Sequence, residues 1–285
     1  MKIALLETIA EARRNIAAVR RSGAKIGFVP TMGALHEGHG ALIRRARDET
    51  GYVVVSVFVN PIQFDRGDDF ERYPRTLQGD LEFCEARGAD AVFAPGAEEM
   101  YPTRQLAFVE VAELGDCLCG EFRPGHFRGV VTVVAKLLNI VQPDRAYFGE
   151  KDAQQLAVVQ RMAADLDFPC VIVPVPTVRE PDGLAMSSRN QRLSPEERRI
   201  APAVYQALLK AAAALRSGST PEGAKDAAMD VLRPYQQLRV EYLEVVDAAT
   251  MQPVDRVTGP VRAVTAVWLG QTRLIDNVLC EKVRT

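Results

Sequence analysis

The sequence lacks the features by which several large protein classes are recognised. Its 35 Lys and Arg are matched by 37 Asp and Glu, for a formal net charge of −2. It therefore has no basic excess of the kind that sequence-independent nucleic-acid binding requires. No stretch approaches the roughly 18 consecutive apolar residues of a membrane-spanning helix. Residues 1–23 include Glu7 and Glu11 and contain no uninterrupted apolar core, so we expect no signal peptide. We predict neither a nucleic-acid partner nor a membrane partner.

Cysteine is scarce, and its spacing indicates no covalent scaffold. The chain has five cysteines, an odd number, and none forms a CxxC pair, so we predict neither a disulfide framework nor a zinc ribbon. Cys117 and Cys119 could chelate a metal, but small residues near a loop are the more ordinary interpretation of this pair. Reduced thiols fit a cytoplasmic location, which we predict.

Two common nucleotide-binding signatures are also missing. There is no GxxxxGK[ST] motif, so a P-loop kinase or ATPase is not indicated. There is no GxGxxG motif either, so a dehydrogenase-type dinucleotide site lacks its fingerprint. Any nucleotide site must therefore be sought in another kind of loop.

The first 177 residues alternate between apolar runs and helical patterns. The predicted strands are 25–29, 52–59, 90–94, 108–111, 145–149 and 170–175, and several are apolar throughout, as strands covered on both faces are. The predicted helices between them are 39–50, 76–87, 126–141 and 152–165. A further helix at the N-terminus has Leu5, Ile9, Ile16 and Val19 at helical spacing and ends at Gly23. The alternation predicts an α/β fold with a doubly wound, mostly parallel sheet.

The pattern changes after about residue 178. Helices are predicted over 194–215, which begins with a Ser, Pro, Glu start signal, and over 221–234. Three β-like runs follow at 239–247, 261–270 and 272–280, and they predict a small antiparallel sheet. We therefore predict two domains, 1–177 and 178–285, the second of α+β type.

Residues 29–40, VPTMGALHEGHG, mark a turn from a strand into a helix. The N-terminus of a helix favours phosphate oxygens, and glycines let a ligand approach the backbone. His36 and His39 are three residues apart on one face of the first turn, where both could donate to the same phosphate. A zinc site is less well supported, because the zinc helix spaces its histidines four apart and only His126 remains as a third. A structural role for the two histidines is the other alternative.

Four further positions have the polarity of a binding loop at the end of a strand. Asn60 and Gln63 follow an apolar strand, and a glutamine amide suits a hydroxy acid, although Asn60-Pro61 also fits a plain turn. Lys151, just before a predicted cap at Asp152, could neutralise a phosphate, or it could simply be exposed.

Two other segments carry basic residues. In 177–194, the hydroxyls of Ser187 and Ser188 and the guanidinium of Arg189 could close over a triphosphate; a flexible linker is the alternative. In 122–129, three side chains form a candidate cationic patch: Arg123, His126 and Arg128.

Together these motifs resemble those of the pantoate–β-alanine ligase family. The segments that carry the resemblance are PTMGALHEGH, FVNPIQF, YPRTLQGDL, RPGHFRGV, FGEKDAQQ and DGLAMSSRN, in the family's order across residues 28–192. The C-terminal third carries no comparable signature. The family belongs to the HxGH nucleotidyl transferases, to which class I aminoacyl-tRNA synthetases are related.

The resemblance implies a fold and a reaction. The fold is a Rossmann-type nucleotide-binding domain with a smaller C-terminal domain that closes over the site, usually in a homodimer. The reaction condenses pantoate and β-alanine to pantothenate through a pantoyl adenylate, using ATP with Mg²⁺ and releasing AMP and pyrophosphate. An adenylate needs shielding from water, and the DGLAMSSRN loop is a plausible lid.

The resemblance also assigns residues. It implies that His39 is the proton donor, and we expect His36, Lys151 and Arg189 to act with it in catalysis. It also implies that Gln63 binds pantoate and β-alanine, that Gln155 binds pantoate, and that Val178 lies beside the adenine. Asp80 is expected near the metal or the amine, and the metal ligands are otherwise unassigned. The implied ATP contacts are Met32, Gly33, Ala34, Leu35, His36, Glu37, Gly38, His39, Gly149, Glu150, Lys151, Asp152, Val178, Met186, Ser187, Ser188 and Arg189.

Three other functions share part of this pattern, and one of them is a ligase that acts on a different acid. A nucleotidyl transferase that moves AMP onto a phosphate acceptor would use the same histidines but would have less need of Gln63 and Gln155. A non-catalytic nucleotide-binding regulator would bind ATP and release no pyrophosphate. No basic face supports a tRNA ligase.

Overall fold

The computed structural model describes residues 3–64 and 67–281, and it divides into two compact units. Unit 1 comprises the described residues up to Asp116, Gly120–Glu150 and Val158–Pro176; unit 2 comprises Cys117–Cys119, Lys151–Ala157 and the described residues from Thr177 onward. The predicted domain division at residue 178 stays a prediction, because compactness alone does not establish a domain that folds independently.

Unit 1 is built on a parallel sheet, as the α/β pattern predicts. Its described strands are β1 Ala4–Leu6, β2 Ile26–Thr31, β3 Tyr52–Val57, β4 Ala91–Phe93, β5 Arg145–Gly149 and β6 Val171–Val175, in the order β1-β4-β3-β2-β5-β6. All the pairings are parallel. From β2 the chain continues to β3 and β4 on one side of the sheet, and from β5 it continues to β6 on the other side. The point at which the strand order reverses therefore lies between β2 and β5. Ligands of open α/β sheets bind at the carboxyl ends of the strands at such a point. The predicted doubly wound fold is confirmed.

The helices of this part of the chain begin and end at recognisable signals. They are α1 Ile9–Arg21, α2 Glu37–Glu49, α3 Gly67–Glu71, α4 Leu77–Glu85, α5 Ala97–Met100, α6 Cys119–Phe122, α7 His126–Val141 and α8 Ala153–Asp165. Thr8 and Glu11 form a capping box that starts α1. Gly23, with φ of 79°, takes the left-handed position just beyond the C-cap at Ser22.

Two predictions about unit 1 are wrong. Leu5 lies in β1 and not in the N-terminal helix, because the capping box at Thr8 delays the helix start. The run 108–111 is not a strand. There, the backbone N–H of Val109 donates to the Thr132 hydroxyl at 3.0 Å, so this segment uses a helix side chain in place of a neighbouring strand.

The core of unit 1 packs around the middle of the sheet. Val53, Val54 and Val55 of β3 are at most 1% exposed, as expected of a strand with helices on both faces. Ile43 and Ala46 of α2 are fully buried in the same region. This packing fixes the axis of α2, and hence the place where its N-terminus meets the loop from β2.

Unit 2 is an antiparallel sheet with helices. Its described strands are β7 Leu238–Asp247, β8 Val261–Leu269 and β9 Thr272–Cys280, in the order β7-β8-β9. Its helices are α9 Pro195–Ile200, α10 Ala203–Arg216 and α11 Pro221–Leu232. Alanines of α10 at 207, 211 and 212 are at most 1% exposed within one apolar cluster with sheet residues. The small α+β unit predicted from the sequence is confirmed in its architecture.

The single helix predicted over 194–215 is in fact two helices. Ser194 and Glu197 form a capping box that starts α9, and Pro202 stands between α9 and α10. Proline has no N–H to donate and its ring collides with the preceding turn, so it interrupts a helix. Within the described part of the chain, no helix is long and apolar enough to cross a bilayer.

Candidate active site

The loop between β2 and α2, here called the histidine turn (residues 31–39), is held from both sides. The Thr31 hydroxyl donates to the carbonyl of Ser56 at 2.7 Å and accepts from the N–H of Gly33 at 3.1 Å. Gly33 and Ala34 have φ of 82° and 51°. The left-handed region suits glycine and strains alanine, so the conformation at Ala34 needs support from its neighbours.

That support comes from Asp80 on α4. The N–H groups of Ala34 and Leu35 donate to its two carboxylate oxygens at 3.1 and 2.8 Å. The Asp80 side chain is buried, at 3% exposure.

The two histidines act as helix caps, and this settles their tautomers. His36 is the N-cap of α2, and its Nδ1 accepts from the N–H of Gly38 at 3.1 Å. The Nδ1 of His39 accepts from the N–H of His36 at 3.2 Å. A neutral imidazole that accepts at Nδ1 carries its proton on Nε2. Both rings, whose centroids are 4.1 Å apart, are therefore Nε2–H donors at the N-terminus of a helix.

Such a pair suits an anion better than a metal. Two N–H donors at the positive end of a helix dipole stabilise negative oxygen atoms, whereas zinc needs a lone pair at each coordinating nitrogen. Among the described residues, no group of three or more His, Cys, Asp or Glu side chains is placed to hold a metal ion. The zinc interpretation finds no support.

Glu37, an implied ATP contact, is engaged with arginines. Its carboxylate pairs with Arg44 at 3.2 Å and with Arg87. The Arg87 guanidinium, with burial opposing it, holds the pKa of Glu37 below its usual value. Glu37 thus contributes a neutralised carboxylate to the first turn of α2, and its backbone, rather than its side chain, is the part suited to a phosphate.

Gln63 lies in a short 3₁₀ turn, Pro61–Gln63, that follows β3. Its Oε1 accepts from Nδ2 of Asn60 at 3.1 Å, while its Nε2 donates to the sulfur of Met32 at 2.8 Å. The amide therefore presents its NH₂ group toward Met32. A thioether is a weak acceptor, so a carboxylate or hydroxyl oxygen of a substrate would be a better partner for this NH₂ group.

Asn60 has a supporting position rather than an exposed turn position. It is 1% exposed, and its Nδ2 also donates to the carbonyl of Gly129 at 3.1 Å. Its Oδ1 accepts from the Tyr101 hydroxyl at 2.8 Å. Tyr101 was missed at the sequence level, since nothing in its local sequence indicates a contact with a residue 41 positions away.

Two of the three residues of the predicted cationic patch, Arg123 and His126, lie together. His126 Nδ1 lies 2.8 Å from the carbonyl of Gln63, and Arg123 lies 3.2 Å from His126 Nε2. Arg128 instead stacks on the ring of Phe108, with its guanidinium carbon 3.9 Å from the centroid. His126 thus braces the turn that carries Gln63, which the sequence did not indicate.

Gly149 and Glu150 complete the predicted residues of unit 1. Gly149 ends β5 and Glu150 follows it, and β5 pairs with β2 at Gly27 and Phe28. The carboxyl end of β5 is therefore beside the histidine turn. A Cβ added at Gly149 would have no atom within 4 Å, so the backbone is open at this point.

In unit 2, Lys151 and Asp152 belong to a 3₁₀ turn, Glu150–Asp152, that leads into α8. The Lys151 ammonium lies 3.7 Å from the Asp152 carboxylate and its side chain is 20% exposed. The Lys151 carbonyl accepts from Asn277 of β9 at 3.1 Å. Gln155 follows on the first turn of α8 and is half-buried. The backbone at Lys151 is thus fixed to the sheet of unit 2.

Residues 178–192, here called the hairpin segment, form an ordered turn. Val178 and Met186 are joined by an N–H to carbonyl bond of 3.0 Å, and Arg179 and Ala185 form an antiparallel bridge. Gly183, with φ of 94°, ends the tight turn. These contacts favour a defined turn over the flexible-linker alternative, and the implied role as a lid stays a prediction.

The base of the hairpin segment is an ion pair. The two terminal nitrogens of Arg179 donate to the two carboxylate oxygens of Asp276 at 2.6 and 2.9 Å. The guanidinium carbon of Arg179 lies 3.6 Å from the centre of the Tyr205 ring. Further along, the Ser187 hydroxyl accepts from the N–H of Arg189 and caps the 3₁₀ turn Ser188–Arg192. A hydroxyl that accepts in this way still has its own O–H to donate.

The two cysteines of the CxC pair have structural contacts in unit 2. Gln154 donates to the carbonyl of Cys117 at 2.8 Å and accepts from the N–H of Cys119 at 3.1 Å. The Cys119 sulfur accepts from the Arg273 guanidinium at 3.5 Å. The interpretation of this pair as small loop residues fits these contacts better than metal chelation.

Comparison with known proteins gives one consistent result. The sequence profile of the pantoate–β-alanine ligase family matches residues 4–279. The pantothenate synthetase of Moorella thermoacetica is 51% identical over 278 residues, which cover 97% of this chain and 98% of that protein. That of Rubrobacter xylanophilus is 54% identical over 282 residues, covering 96% and 97%.

Solved structures agree. Pantothenate synthetase from Thermus thermophilus superposes with a TM-score of 0.92 at 49% identity, covering 97% of this chain and 99% of that one. Pantoate–β-alanine ligase from Francisella tularensis, solved as a complex with an ATP compound and β-alanine, gives a TM-score of 0.81 at 33% identity, covering 97% of each chain. The resemblance predicted from the motifs is confirmed, and this chain belongs to the pantoate–β-alanine ligase family.

Proposed function

We propose that the protein condenses pantoate and β-alanine to pantothenate in an ATP-dependent reaction. The observation that carries the proposal, beside family membership, is the pair of Nε2–H imidazoles at the N-terminus of α2. Both donors point their protons away from the helix backbone, because both Nδ1 atoms accept from it. A site of this kind stabilises charge on phosphate oxygens.

The reaction proceeds in two balanced steps. A carboxylate is a poor electrophile, so an oxygen of pantoate first attacks the α-phosphorus of ATP. The bond from that phosphorus to the bridging oxygen breaks, and pyrophosphate leaves. The amine of β-alanine then attacks the acyl carbon of the pantoyl adenylate, the bond to AMP breaks, and the amine loses a proton. The products are pantothenate, AMP and pyrophosphate.

Residues of unit 1 are proposed to act on the phosphates and on the acid. His36 and His39 donate to oxygens of the reacting phosphate and of the leaving pyrophosphate. The backbone from Met32 to His39, together with Gly149 and Glu150, contacts ATP. Gln63 donates its NH₂ group to oxygens of pantoate and of β-alanine, for which the polarity of the amide is already set by Asn60.

Residues of unit 2 are proposed to bind ATP and pantoate. Lys151 and Arg189 neutralise phosphate charge, and the hydroxyls of Ser187 and Ser188 donate to phosphate oxygens. Gln155 contacts pantoate. Asp152, Met186 and Val178 contribute ATP contacts, with Val178 on the adenine side.

Mg²⁺ is proposed to arrive with ATP as part of the substrate. No cluster of three acidic or soft ligands exists among the described residues, which suits an ion that phosphate oxygens and water hold for the most part. The protein is further proposed to work as a homodimer in the cytoplasm. Within the described part of the chain no disulfide joins its cysteines, which suits a reducing compartment.

The experiment is a component-omission assay on the purified protein with Mg-ATP, pantoate and β-alanine. We expect AMP, pyrophosphate and pantothenate to appear together, and pyrophosphate to appear in a burst with pantoate alone. ADP and phosphate in place of AMP and pyrophosphate would mean acyl-phosphate chemistry and would overturn the mechanism. ATP binding without any pyrophosphate release would favour the regulator, and adenylation of a phosphate acceptor would favour the nucleotidyl transferase.

A further inference from the structure

The carboxylate of Asp80 accepts more hydrogen bonds than its place on α4 requires. Beside the N–H groups of Ala34 and Leu35, the Thr76 hydroxyl donates to Oδ2 at 3.2 Å. The side chain is 3% exposed. A carboxylate has about four lone-pair positions, and three of them are used here. Its charge is therefore balanced by oriented donors, two of which belong to a loop 45 and 46 residues away in sequence.

Asp80 lies so close to the loop that it limits which side chain can stand at position 33. A Cβ added at Gly33 would stand 2.9 Å from Oδ2 of Asp80 and 3.0 Å from Val57. Ala34, which follows, keeps a left-handed φ of 51°, a conformation that is strained in a residue with a Cβ. Hydrogen bonds to a charged acceptor are among the stronger ones in proteins, and the two bonds to Asp80 therefore stabilise this conformation.

The chain leads directly from this contact to the reacting groups. Leu35 precedes His36, the N-cap of α2, and the N–H of His36 in turn donates to Nδ1 of His39. Without the bond from the Leu35 N–H to Asp80, the backbone before His36 could rotate. The His36 N–H would then turn away from Nδ1 of His39, and the hydrogen bond that fixes the His39 tautomer would be lost.

We propose that Asp80 is a positioning residue for adenylate formation: it holds residues 33–35 in the one conformation that aims the Nε2–H groups of His36 and His39. This role differs from the expected place near the metal or the amine, since most of the carboxylate's acceptor capacity is taken up by protein donors. The effect of Asp80 on adenylate formation rests on the proposed function, in which the two histidines donate to phosphate oxygens.

The test uses the variant Asp80→Asn with ¹⁵N-labelled histidine. An asparagine has one acceptor oxygen, so its NH₂ group must face one of the two loop N–H donors. The protein has three histidines, and so the imidazole spectrum is simple. We expect the Nδ1 and Nε2 signals of His36 and His39 to move toward a mixture of tautomers, while those of His126 stay unchanged.

Kinetics supply the second readout. At saturating ATP, pantoate-dependent pyrophosphate release should slow by roughly tenfold to a hundredfold, as for a misplaced reacting group, while the KM for β-alanine stays the same. Gly79→Ala is the matched control: it is the neighbouring residue on α4, its added Cβ would meet nothing within 4 Å, and it should leave both the spectrum and the rate unchanged.

Three results would overturn the proposal. They are unchanged His36 and His39 signals in Asp80→Asn, a shift of all three histidines, or a shift of the two without any loss of rate. Should this variant fail to fold, Thr76→Val keeps the carboxylate but removes the hydroxyl that orients Oδ2, the acceptor of the Ala34 N–H, and so weakens that loop bond. It should move the signals of the same two histidines by a smaller amount, and an unaltered spectrum would then count against the role. The spectra need no turnover, so this test stays decisive even if the proposed ligase activity fails.

Discussion

In the histidine turn of unit 1, the groups that hold the chain are backbone N–H donors, short hydroxyls and one buried carboxylate. In the hairpin segment of unit 2, they are arginines paired with acids: Arg179 with Asp276, and Arg198 with Glu180 and Asp182. Both segments carry proposed phosphate contacts. The first therefore depends on the geometry of donors inside a packed unit, and the second depends on charge. Mutation, salt and pH should separate the two.

The largest effect is expected at His39, where each ring nitrogen has its own task. In His39→Asn, the side-chain oxygen can replace Nδ1 as the acceptor for the His36 N–H, but the Nε2–H donor is lost. We expect adenylate formation to fall by about 10²–10³, the usual cost of one lost donor to a developing charge, with little change in folding stability. The measurement is the pantoate-dependent pyrophosphate burst, with chemical denaturation alongside.

His39→Gln is the matched variant. Its NH₂ group reaches the position of Nε2, but nothing remains at the position of Nδ1. We expect it to keep more activity than His39→Asn and to lose part of the helix cap, which is typically worth about 1 kcal/mol. The reverse order of activities would show that the cap, and not the donor, matters for the chemistry.

At the base of the hairpin segment, Asp276→Asn should lower the free energy of unfolding without removing a proposed catalytic group. The Asp276 side chain is 4% exposed and Arg179 is 18% exposed, and removing one partner of a buried pair costs about 3–5 kcal/mol. Since the amide keeps one acceptor, we expect about 3 kcal/mol, measured from the midpoint of urea unfolding. Asp230→Asn is the control, because its pair with Arg233 is 66% exposed on both sides and should contribute less than about 1 kcal/mol.

Unit 1 depends on close packing where the hairpin segment depends on ion pairs, and this packing can be tested at Gly129 of α7. A Cβ there would lie 2.3 Å from the carbonyl oxygen of Ile62 and 2.6 Å from the Cα of Gln63. Gly129→Ala should therefore displace the turn that carries Gln63 and cost about 1–3 kcal/mol through overpacking. We expect the KM for pantoate to rise more than the KM for ATP. Equal changes in both would mean a general loss of structure.

The smallest effect is expected at Asp182, and it should depend on pH. Hydrogen bonding from Arg198 holds the pKa of Asp182 below its usual value. A carboxyl whose pKa is lower in the folded state stabilises the protein above its unfolded pKa of about 3.9, and the contribution disappears as the pH falls through the lower folded pKa. The pair is partly exposed, so Asp182→Asn should cost less than about 1 kcal/mol at pH 7.

That difference should shrink below about pH 4 and in high salt, which screens partly exposed charges. Unfolding of both proteins over a pH and salt series measures it. A gap between the two proteins that widens on acidification would contradict the assigned direction of the pKa shift.

Much of unit 1 could be predicted because its signals are local. The apolar strands, the glycines and the spacing of His36 and His39 are all readable within a dozen residues. They predict both the doubly wound sheet and the end of it at which phosphate binding is proposed. The strand predicted at 108–111 failed because β propensity does not reveal that Thr132, on a distant helix, takes up the backbone N–H of Val109. The helix over 194–215 was too long because its periodicity continues across Pro202.

The supporting contacts of the site could not be predicted from sequence. Asp80 was expected near the metal or the amine and His126 in a cationic patch, and Tyr101 was not named. All three instead contact residues that are 45, 63 and 41 positions away, respectively, and no local pattern indicates such contacts. Gln63 was predicted to be a substrate contact, but the orientation of its amide follows from Asn60, and so its polarity could be known only from the fold.

The fixed amide of Gln63 has a consequence for the orientation of substrates in the proposed reaction. Pantoate and β-alanine are both carboxylic acids, and only β-alanine also carries an amine. With Oε1 held by Asn60, Gln63 offers only a donor, so it is suited to carboxylate or hydroxyl oxygens of either substrate and not to an ammonium group. The end of a substrate that faces Gln63 would thus be selected by Asn60, a residue that need touch neither substrate. In Asn60→Asp, the carboxylate would accept from the Gln63 NH₂ group, and the amide would then turn its oxygen toward the substrate.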